Sequence, residues 1–468
     1  MLNQFEVEEN VYNVVAALQD AGYETYIVGG AIRDHLMERA PKDYDISTAA
    51  TPEQVREVFG RRRARIIGRR FQLVHVRAGK ELFEVSTFRS APSTNKHEPQ
   101  TPGARKIAEL EEAENMIFND NDFGTSEEDA WRRDFTVNAL FYDPVADELI
   151  DYTGSGMSDI KSGLVRAIGD PVLRFEEDPV RMLRALKLVG QYGFKLERKT
   201  ENALLEKLHL LELSSVSRLS LELEKVLNSN YAGSIMQAFA DYGLIKHFLP
   251  YMAKENEKKH LQEAINLLKT RDKRIAAGYY RNSASLAMAA LALPFIDTLI
   301  DGDRRKKSIS RQTENQNFMR EWDEELLRQA LLTVYAPLAI IKRLNISACR
   351  MLAIQPMLFH SNNPRKLVKL RGFAHAMELL KVQCDADYIK CDPEFITQWR
   401  NAIASVGGVN RMEERGGAED SGEVAPKRKH RRRGRKGSAR RNAANGAAAA
   451  DADAAAHEQI TAAAQDLV

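Results

Sequence analysis

Val28-Gly29-Gly30-Ala31-Ile32-Arg33-Asp34, followed shortly by Lys42-Asp43-Tyr44-Asp45, decides how the first part of this chain is read. Residues 23–28 form a β-rich apolar run, Gly29-Gly30 breaks it at a tight junction, and residues 31–37 read as a short helix. Residues 43–47 read as a second strand. Side chains on a strand alternate with period two, so Asp43 and Asp45 are expected to project from one face. Two carboxylates side by side ask for a cation. Mg²⁺ suits them, because it takes hard oxygen ligands and keeps positions for water and phosphate. At the upstream junction, glycine lets a phosphate approach backbone N–H groups, and Arg33 follows one turn on to pair with phosphate oxygens. Either pattern alone is common on solvated strands and turns.

Working outward, residues 5–21 read as an amphipathic helix on Phe5, Val11, Val14, Val15 and Leu18, closed by Gly22. Thr51-Pro52-Glu53 starts a helix, with Thr as N-cap, Pro in the first turn and an acid near the positive end of the dipole. Strands follow near 72–77 and 81–88, joined by Ala78-Gly79-Lys80. Glu84 lies inside the second. Glutamate is disfavoured in a β-rich run, so it is either an outward-facing residue of an amphipathic strand or a third carboxylate. Residues 90–126 are polar, with Pro92, Pro99 and Pro102, and read as a mobile insertion. Beyond about residue 172 the pattern is helical to about 410. The apolar run 286–296, interrupted by Pro294, reads as a buried core helix, being too short to span a bilayer.

The expected fold class is therefore α+β: a small mixed-sheet head, an all-helical body and a disordered basic tail. The expected divisions are a head at 1–155, a helical neck at 156–250, a body at 251–412 and a tail at 413–468.

The formal net charge of +2 hides an asymmetry. Residues 427–441 hold ten Lys and Arg and no acid, so the rest of the chain has 58 basic and 66 acidic residues. Local basic charge points to a polyanion such as RNA or to an anionic membrane surface. Lys427, Arg428, Lys429, Arg431, Arg432, Arg433, Arg435 and Lys436 are the candidate RNA contacts. Cys349, Cys384 and Cys391 form no C-x-x-C pair, and an odd count argues against a disulfide framework, which fits a cytoplasmic setting. No signal-peptide h-region or membrane span is read.

The motifs also come in a recognisable order. After the two already quoted stand Glu84-Val85-Ser86-Thr87-Phe88-Arg89, Arg132-Arg133-Asp134-Phe135-Thr136-Val137-Asn138-Ala139 and Glu177-Asp178-Pro179-Val180-Arg181-Met182-Leu183-Arg184. This set, over about residues 20–250, resembles the class II nucleotidyltransferase family of bacterial poly(A) polymerases and tRNA CCA-adding enzymes. The resemblance implies that Gly29, Gly30 and Arg33 contact nucleotide phosphates and that Asp43 and Asp45 bind metal, in a site with two Mg²⁺. It implies a third catalytic carboxylate at Glu84 or Asp134. Arg132, Arg133, Asp134 and Asn138 would seat the nucleotide and its sugar. Glu177, Asp178 and Arg181 would read the base, with Arg184 meeting the triphosphate. Asp178 and Arg181 are i and i+3, adjacent on a helix surface, and a carboxylate with a guanidinium can match one base edge.

Within the family, Gly68-Arg69-Arg70-Phe71-Gln72-Leu73-Val74-His75-Val76, the segment 118–129 and the basic tail resemble the poly(A) polymerase form. No His-Asp dipeptide occurs, so the phosphohydrolase-type domain of some CCA-adding enzymes is not expected. The implied activity is addition of AMP from ATP to RNA 3′ ends. CCA addition to tRNA is the alternative, and a non-catalytic RNA-binding protein on the same fold is a remote one.

Overall fold

The computed structural model describes residues 5, 7–68, 72–90, 122–308, 324–360, 364–391 and 393–405. Residues 69–71, residues 91–121 of the expected insertion, and the tail 413–468 with its basic residues lie outside the described residues.

The chain opens with helix α1 (Glu9–Asp20), whose Val11, Val14, Val15 and Leu18 recur at helical spacing and are fully buried. Strand β1 (Thr25–Val28), helix α2 (Gly30–Leu36) and strand β2 (Asp45–Thr48) follow. Helix α3 (Pro52–Phe59) begins at the expected place. Thr51 and Gln54 form a reciprocal capping box, and Pro52 stands in the first turn. Then come β3 (Ala64–Ile67), β4 (Leu73–Ala78), β5 (Glu81–Thr87), α4 (Ser126–Arg132), β6 (Phe141–Asp143) and β7 (Glu148–Ile150).

These seven strands form one sheet in the order β3-β4-β5-β2-β1-β6-β7. The β2–β5 pair is parallel and the other neighbours are antiparallel. Alternation gives the sheet two characters. Ile27, Ile46, Val74, Val76, Phe83 and Val85 point into the main core, which α1 and α3 share. On the opposite face Val28, Phe88 and Phe141 pack under Ala130 of α4. That apolar patch covers only one end of the face, and beyond it stand Asp45, Ser47, Glu84, Ser86 and His75.

The structure corrects the strand expected over 43–47. β2 starts at Asp45, whose ladder partner on β1 is Val28, the last residue of that strand. Gly29 turns the chain away, so Asp43 has no β1 residue to pair with and stands ahead of the strand.

After β7 the chain becomes helical: α5 (Gly156–Ser162), α6 (Pro171–Glu177), α7 (Val180–Tyr192), α8 (Arg198–Lys207), α9 (Val216–Leu227), α10 (Ala232–Asp241), α11 (Ile245–Phe248) and α12 (Lys258–Ala276). One small parallel ladder interrupts them, β8 (Leu164–Val165) with β9 (Lys195–Leu196). Helix α13 (Ala284–Ser308) contains the apolar run expected to be buried. Leu286 through Leu293 are all at most 1% exposed, and Pro294 lies inside the helix. α14 (Glu324–Tyr335), α15 (Lys342–His360), α16 (Pro364–Leu367), α17 (Phe373–Asp385) and α18 (Pro393–Ser405) complete the described body. Among the described residues no helix is long and apolar enough to cross a membrane.

The expectation of unpaired cysteines needs correcting at one place. Cys384, in the last turn of α17, forms a disulfide with Cys391, because the chain turns back and brings their Cα atoms to 5.5 Å. Cys349 is a buried free thiol.

Candidate active site

Asp45 opens β2 and pairs in parallel register with Glu84 of β5. Both side chains therefore leave the polar face of the sheet as neighbours, and both are exposed. The Asp45 carboxyl is raised above its ordinary value. Loss of surrounding water is the main cause and the Glu84 carboxylate the next, with Asp43 adding to it and Arg133 and Lys225 opposing it. Glu84 also faces His75, whose Nε2 lies 3.5 Å from Oε1. Two residues further along each strand, the Ser47 and Ser86 hydroxyls meet at 2.9 Å.

Asp134, the other candidate third carboxylate, stands elsewhere. Its Oδ1 accepts from the Phe135 backbone N–H and the Asn138 side-chain amide, and its Oδ2 lies 3.7 Å from Arg184 Nη1. Glu84 is thus the carboxylate in register with Asp45. Among the described residues no three His, Cys, Asp or Glu side chains close into a metal cage.

Arg133 bridges the two halves of this surface. Its guanidinium donates to Asp129 at 2.9 Å, to Ser47 at 3.2 Å and to the Asn138 carbonyl at 3.3 Å, and it lies over the Phe141 ring. Gly29 makes room for it. Its φ is 76°, and a Cβ there would come within 3.2 Å of Arg133 Nη1. Helix α2 has only seven residues, so the phosphate-holding dipole expected at Gly30 is short.

Arg33 does not point outward as a phosphate ligand. It is buried and saturated within the fold. Its guanidinium donates to Asn138 at 2.6 Å, to Asp34 at 2.7 Å and to the Tyr192 hydroxyl at 2.5 Å, which itself donates to Asp34 at 2.7 Å. Arg33 thereby ties the β1–α2 turn to α7.

The neck supplies more arginines. Arg174, buried on α6, donates to Glu177 at 2.5 Å and to the Arg133 carbonyl at 2.9 Å, bracing the turn after α4. Arg181 shares Glu177 at 3.3 Å. Arg132 lies among these groups. Burial, then Arg89, Arg181, Arg174 and Arg133, push its guanidinium down to about 9. Burial and Arg174 bring Arg181 down to about 10. Both remain cationic at neutral pH, and the mutual repulsion marks a place that an anion would stabilise.

Asp178 and Arg181 do not pair with each other. Asp178 accepts from Arg218 of α9 at 2.7 Å and from the Val180 N–H at 3.2 Å. Burial alone would raise its carboxyl, but Arg218, Arg184 and Arg181 outweigh this and hold it low. Beside it Glu222 is buried and accepts from Lys187 at 2.8 Å and Lys225 at 3.0 Å, with Arg184 at 3.7 Å. Burial opposes ionisation, yet Lys187, Lys225 and Arg184 pull Glu222 down to about 2.

Sequence reading missed Asp129, Arg174, Tyr192, Arg218 and Glu222. Spacing could have shown Arg174 and Arg181, which flank Glu177 at i−3 and i+4. Nothing local points to Arg218, which meets Asp178 from 40 residues away.

Residues 25–166 match the poly A polymerase head domain, and residues 193–255 match the probable RNA and SrmB-binding site of polymerase A. The chain thus carries a poly A polymerase head domain followed by that family's RNA-binding domain. It is 38% identical to Haemophilus influenzae poly(A) polymerase I over 293 residues, 62% of this chain and 63% of that protein. It is 37% identical to Escherichia coli O157:H7 poly(A) polymerase I over 64% of this chain and 63% of that one. A Lactobacillus helveticus CCA-adding enzyme is 36% identical over 49% of this chain and 52% of that protein. The chain thus spans less than two thirds of the length of the curated relatives it matches. A tRNA nucleotidyltransferase solved with a primer tRNA and an incoming ATP analog shares the fold at TM-score 0.52 and 22% identity, covering 84% of this chain and 98% of that one.

Proposed function

We propose that this chain is a template-independent RNA nucleotidyltransferase that transfers AMP from ATP to the 3′ hydroxyl of RNA and releases pyrophosphate. The observation that carries the reading is the paired site: Arg133 neighbours both the Asp45–Glu84 carboxylates and the crowded Arg132, Arg174 and Arg181 guanidiniums. The first asks for a cation and the second for an anion, which a magnesium-bound nucleoside triphosphate satisfies together.

The donor set fits Mg²⁺. This ion is bound through one or two carboxylates and completes its shell with water and substrate phosphate, so an open pair suits it better than a closed cage. Asp43, Asp45 and Glu84 would hold it, and when bound it would polarise the attacking hydroxyl and neutralise charge on the leaving group. Arg132 and Arg184 are the candidate triphosphate ligands, with Arg133 held over the sheet by Asp129 and Ser47. Asp178 keeps lone pairs beyond those used by Arg218 and Val180, so it can accept from an exocyclic amine of the base. Arg33 and Asn138 position the β1–α2 turn.

Adenylate addition is favoured over CCA addition by how far the likeness runs. The poly(A) polymerase relatives align over 293–301 residues and the CCA-adding relatives over 228–249. The basic residues 427–436 are proposed RNA contacts, and a cytoplasmic place in mRNA 3′-end processing belongs to the same reading. Incubation with RNA, Mg²⁺ and each single NTP tests it. AMP incorporation is expected. No incorporation with any nucleotide would leave only an RNA-binding role, and preferential CMP addition to tRNA lacking its terminal nucleotides would replace this reading by the alternative.

A further inference from the structure

The edge of the head carries a second charged feature, apart from the groups just described. Gly60, at φ 75°, ends α3 and starts a turn that presents Arg61, Arg62 and Arg63 to solvent, and β3 follows as the edge strand of the sheet. Arg65 of β3 and Arg77 of β4 are also exposed, and with Arg56 of α3 these side chains line one open groove. Arg63 is anchored, donating to the Arg77 carbonyl and lying over the Phe59 ring. Among the described residues, no carboxylate forms an ion pair with Arg56, Arg61, Arg62, Arg65 or Arg77. Guanidiniums gathered this closely without acids raise the local positive potential and draw a polyanion.

The groove leads to the candidate active site along a single row of the sheet. Arg65 is in register with His75, His75 with Glu84, and Glu84 with Asp45. Neighbouring strands lie about 4.8 Å apart, so three steps place Arg65 roughly 14 Å from Asp45 on the same face. Exposed Leu82, opposite Arg77 on that face, adds apolar surface beside the guanidiniums. Arginine suits this use, because its planar fork binds phosphate bidentately and can stack on an unpaired base.

We propose that the Arg61–Arg62–Arg65 groove at the β3 edge is a single-stranded RNA-binding track that holds the backbone of the chain whose 3′ end reaches Asp45. This rests on the RNA-transferase reading, but its test needs no transfer. The full chain is titrated with a 3′-labelled oligoadenylate over a series of salt concentrations, without nucleotide or divalent metal, and binding is followed by fluorescence anisotropy. R61A/R62A/R65A should lower the slope of log K against log salt by about 2, since each single-strand phosphate contact contributes about 0.7. Affinity at low salt should fall on the order of tenfold or more, while R61K/R62K/R65K keeps the slope. An unchanged slope in the alanine variant, or a slope lost equally in the lysine variant, would overturn the proposal. An unchanged slope would also leave the groove to an acidic protein partner. A lost slope in a protein that transfers no nucleotide would keep the track and sink the transferase reading alone.

Discussion

Arg218 donates to Asp178 at 2.7 Å, across 40 residues of sequence, and so occupies part of the carboxylate proposed to read the base. Arg181, one turn from Asp178, turns to Glu177 instead. Arg218→Ala should therefore loosen nucleotide choice rather than abolish transfer. The expected result is a fall of roughly tenfold in the ratio of kcat/KM for ATP over CTP, equal to about 1.4 kcal/mol of lost discrimination. Stability should drop by about 1–3 kcal/mol, the worth of a hydrogen bond to a charged group. The Asp178 carboxyl is held low, so its stabilisation is present above about pH 3.9 and lost as pH falls through its lower folded value. The variant should accordingly denature at higher pH in acid titrations. Unchanged selectivity would detach Arg218 from base reading.

Asp45→Asn should lower nucleotide incorporation at least about 100-fold, since losing even an indirect partner of a metal ligand costs 10- to 100-fold. RNA binding should persist. Its effect on stability has the opposite sign. A carboxyl raised in the folded state penalises folding as pH climbs above its unfolded value near 3.8. In a chelator at neutral pH the variant should melt above the parent, and the gain should shrink in acid. A variant that melts lower would show that the folded protein does not penalise the Asp45 carboxylate.

Gly29 and Gly30 should differ sharply when each is replaced by Ala. Gly29 has φ 76° and ψ −125°, a conformation almost confined to glycine, and its new Cβ would press on Arg133. Gly29→Ala should cost about 1–3 kcal/mol and raise the KM for nucleotide. Gly30 sits in ordinary helical geometry, with the Arg33 Nη2 atom 3.4 Å from the Cβ position. Its replacement should be nearly silent in a thermal melt. Equal effects would mean that the turn itself is not what places Arg133.

Glu222→Gln would leave Lys187, Lys225 and Arg184 facing one another across a neutral amide. With its folded value pulled to about 2, Glu222 supplies stability above about pH 4.5 that disappears as pH falls towards 2. The variant should lose on the order of 2–3 kcal/mol at pH 7 in denaturant unfolding, and its stability should flatten over that acid range. A parent-like acid limb would place the stabilising charge elsewhere.

What could be read from the chain followed local rules. The Thr51 N-cap, the α1 stripe and the long β4–β5 hairpin all rest on contacts between residues close in sequence. β3 escaped notice because Ala64–Ile67 is only four residues long and follows three arginines. β6 and β7, at three residues each, are too short to show alternation. The disulfide escaped because spacing alone does not say that α17 ends in a turn back towards Cys391.

By itself the sequence determined the family motifs, their order and the α+β division, since these depend on residue type and periodicity. It also placed Asp45 and Glu84 each near a strand. Only the tertiary structure decided that the two strands are parallel neighbours in register, that Arg33 is consumed by Asp34, Asn138 and Tyr192, and that Arg218 meets Asp178 and Glu222 meets Arg184. The reason is physical. A charge's role depends on which other charges the fold brings within a few ångströms, and partners such as Arg218 for Asp178 and Tyr192 for Arg33 lie 40 and 159 residues away.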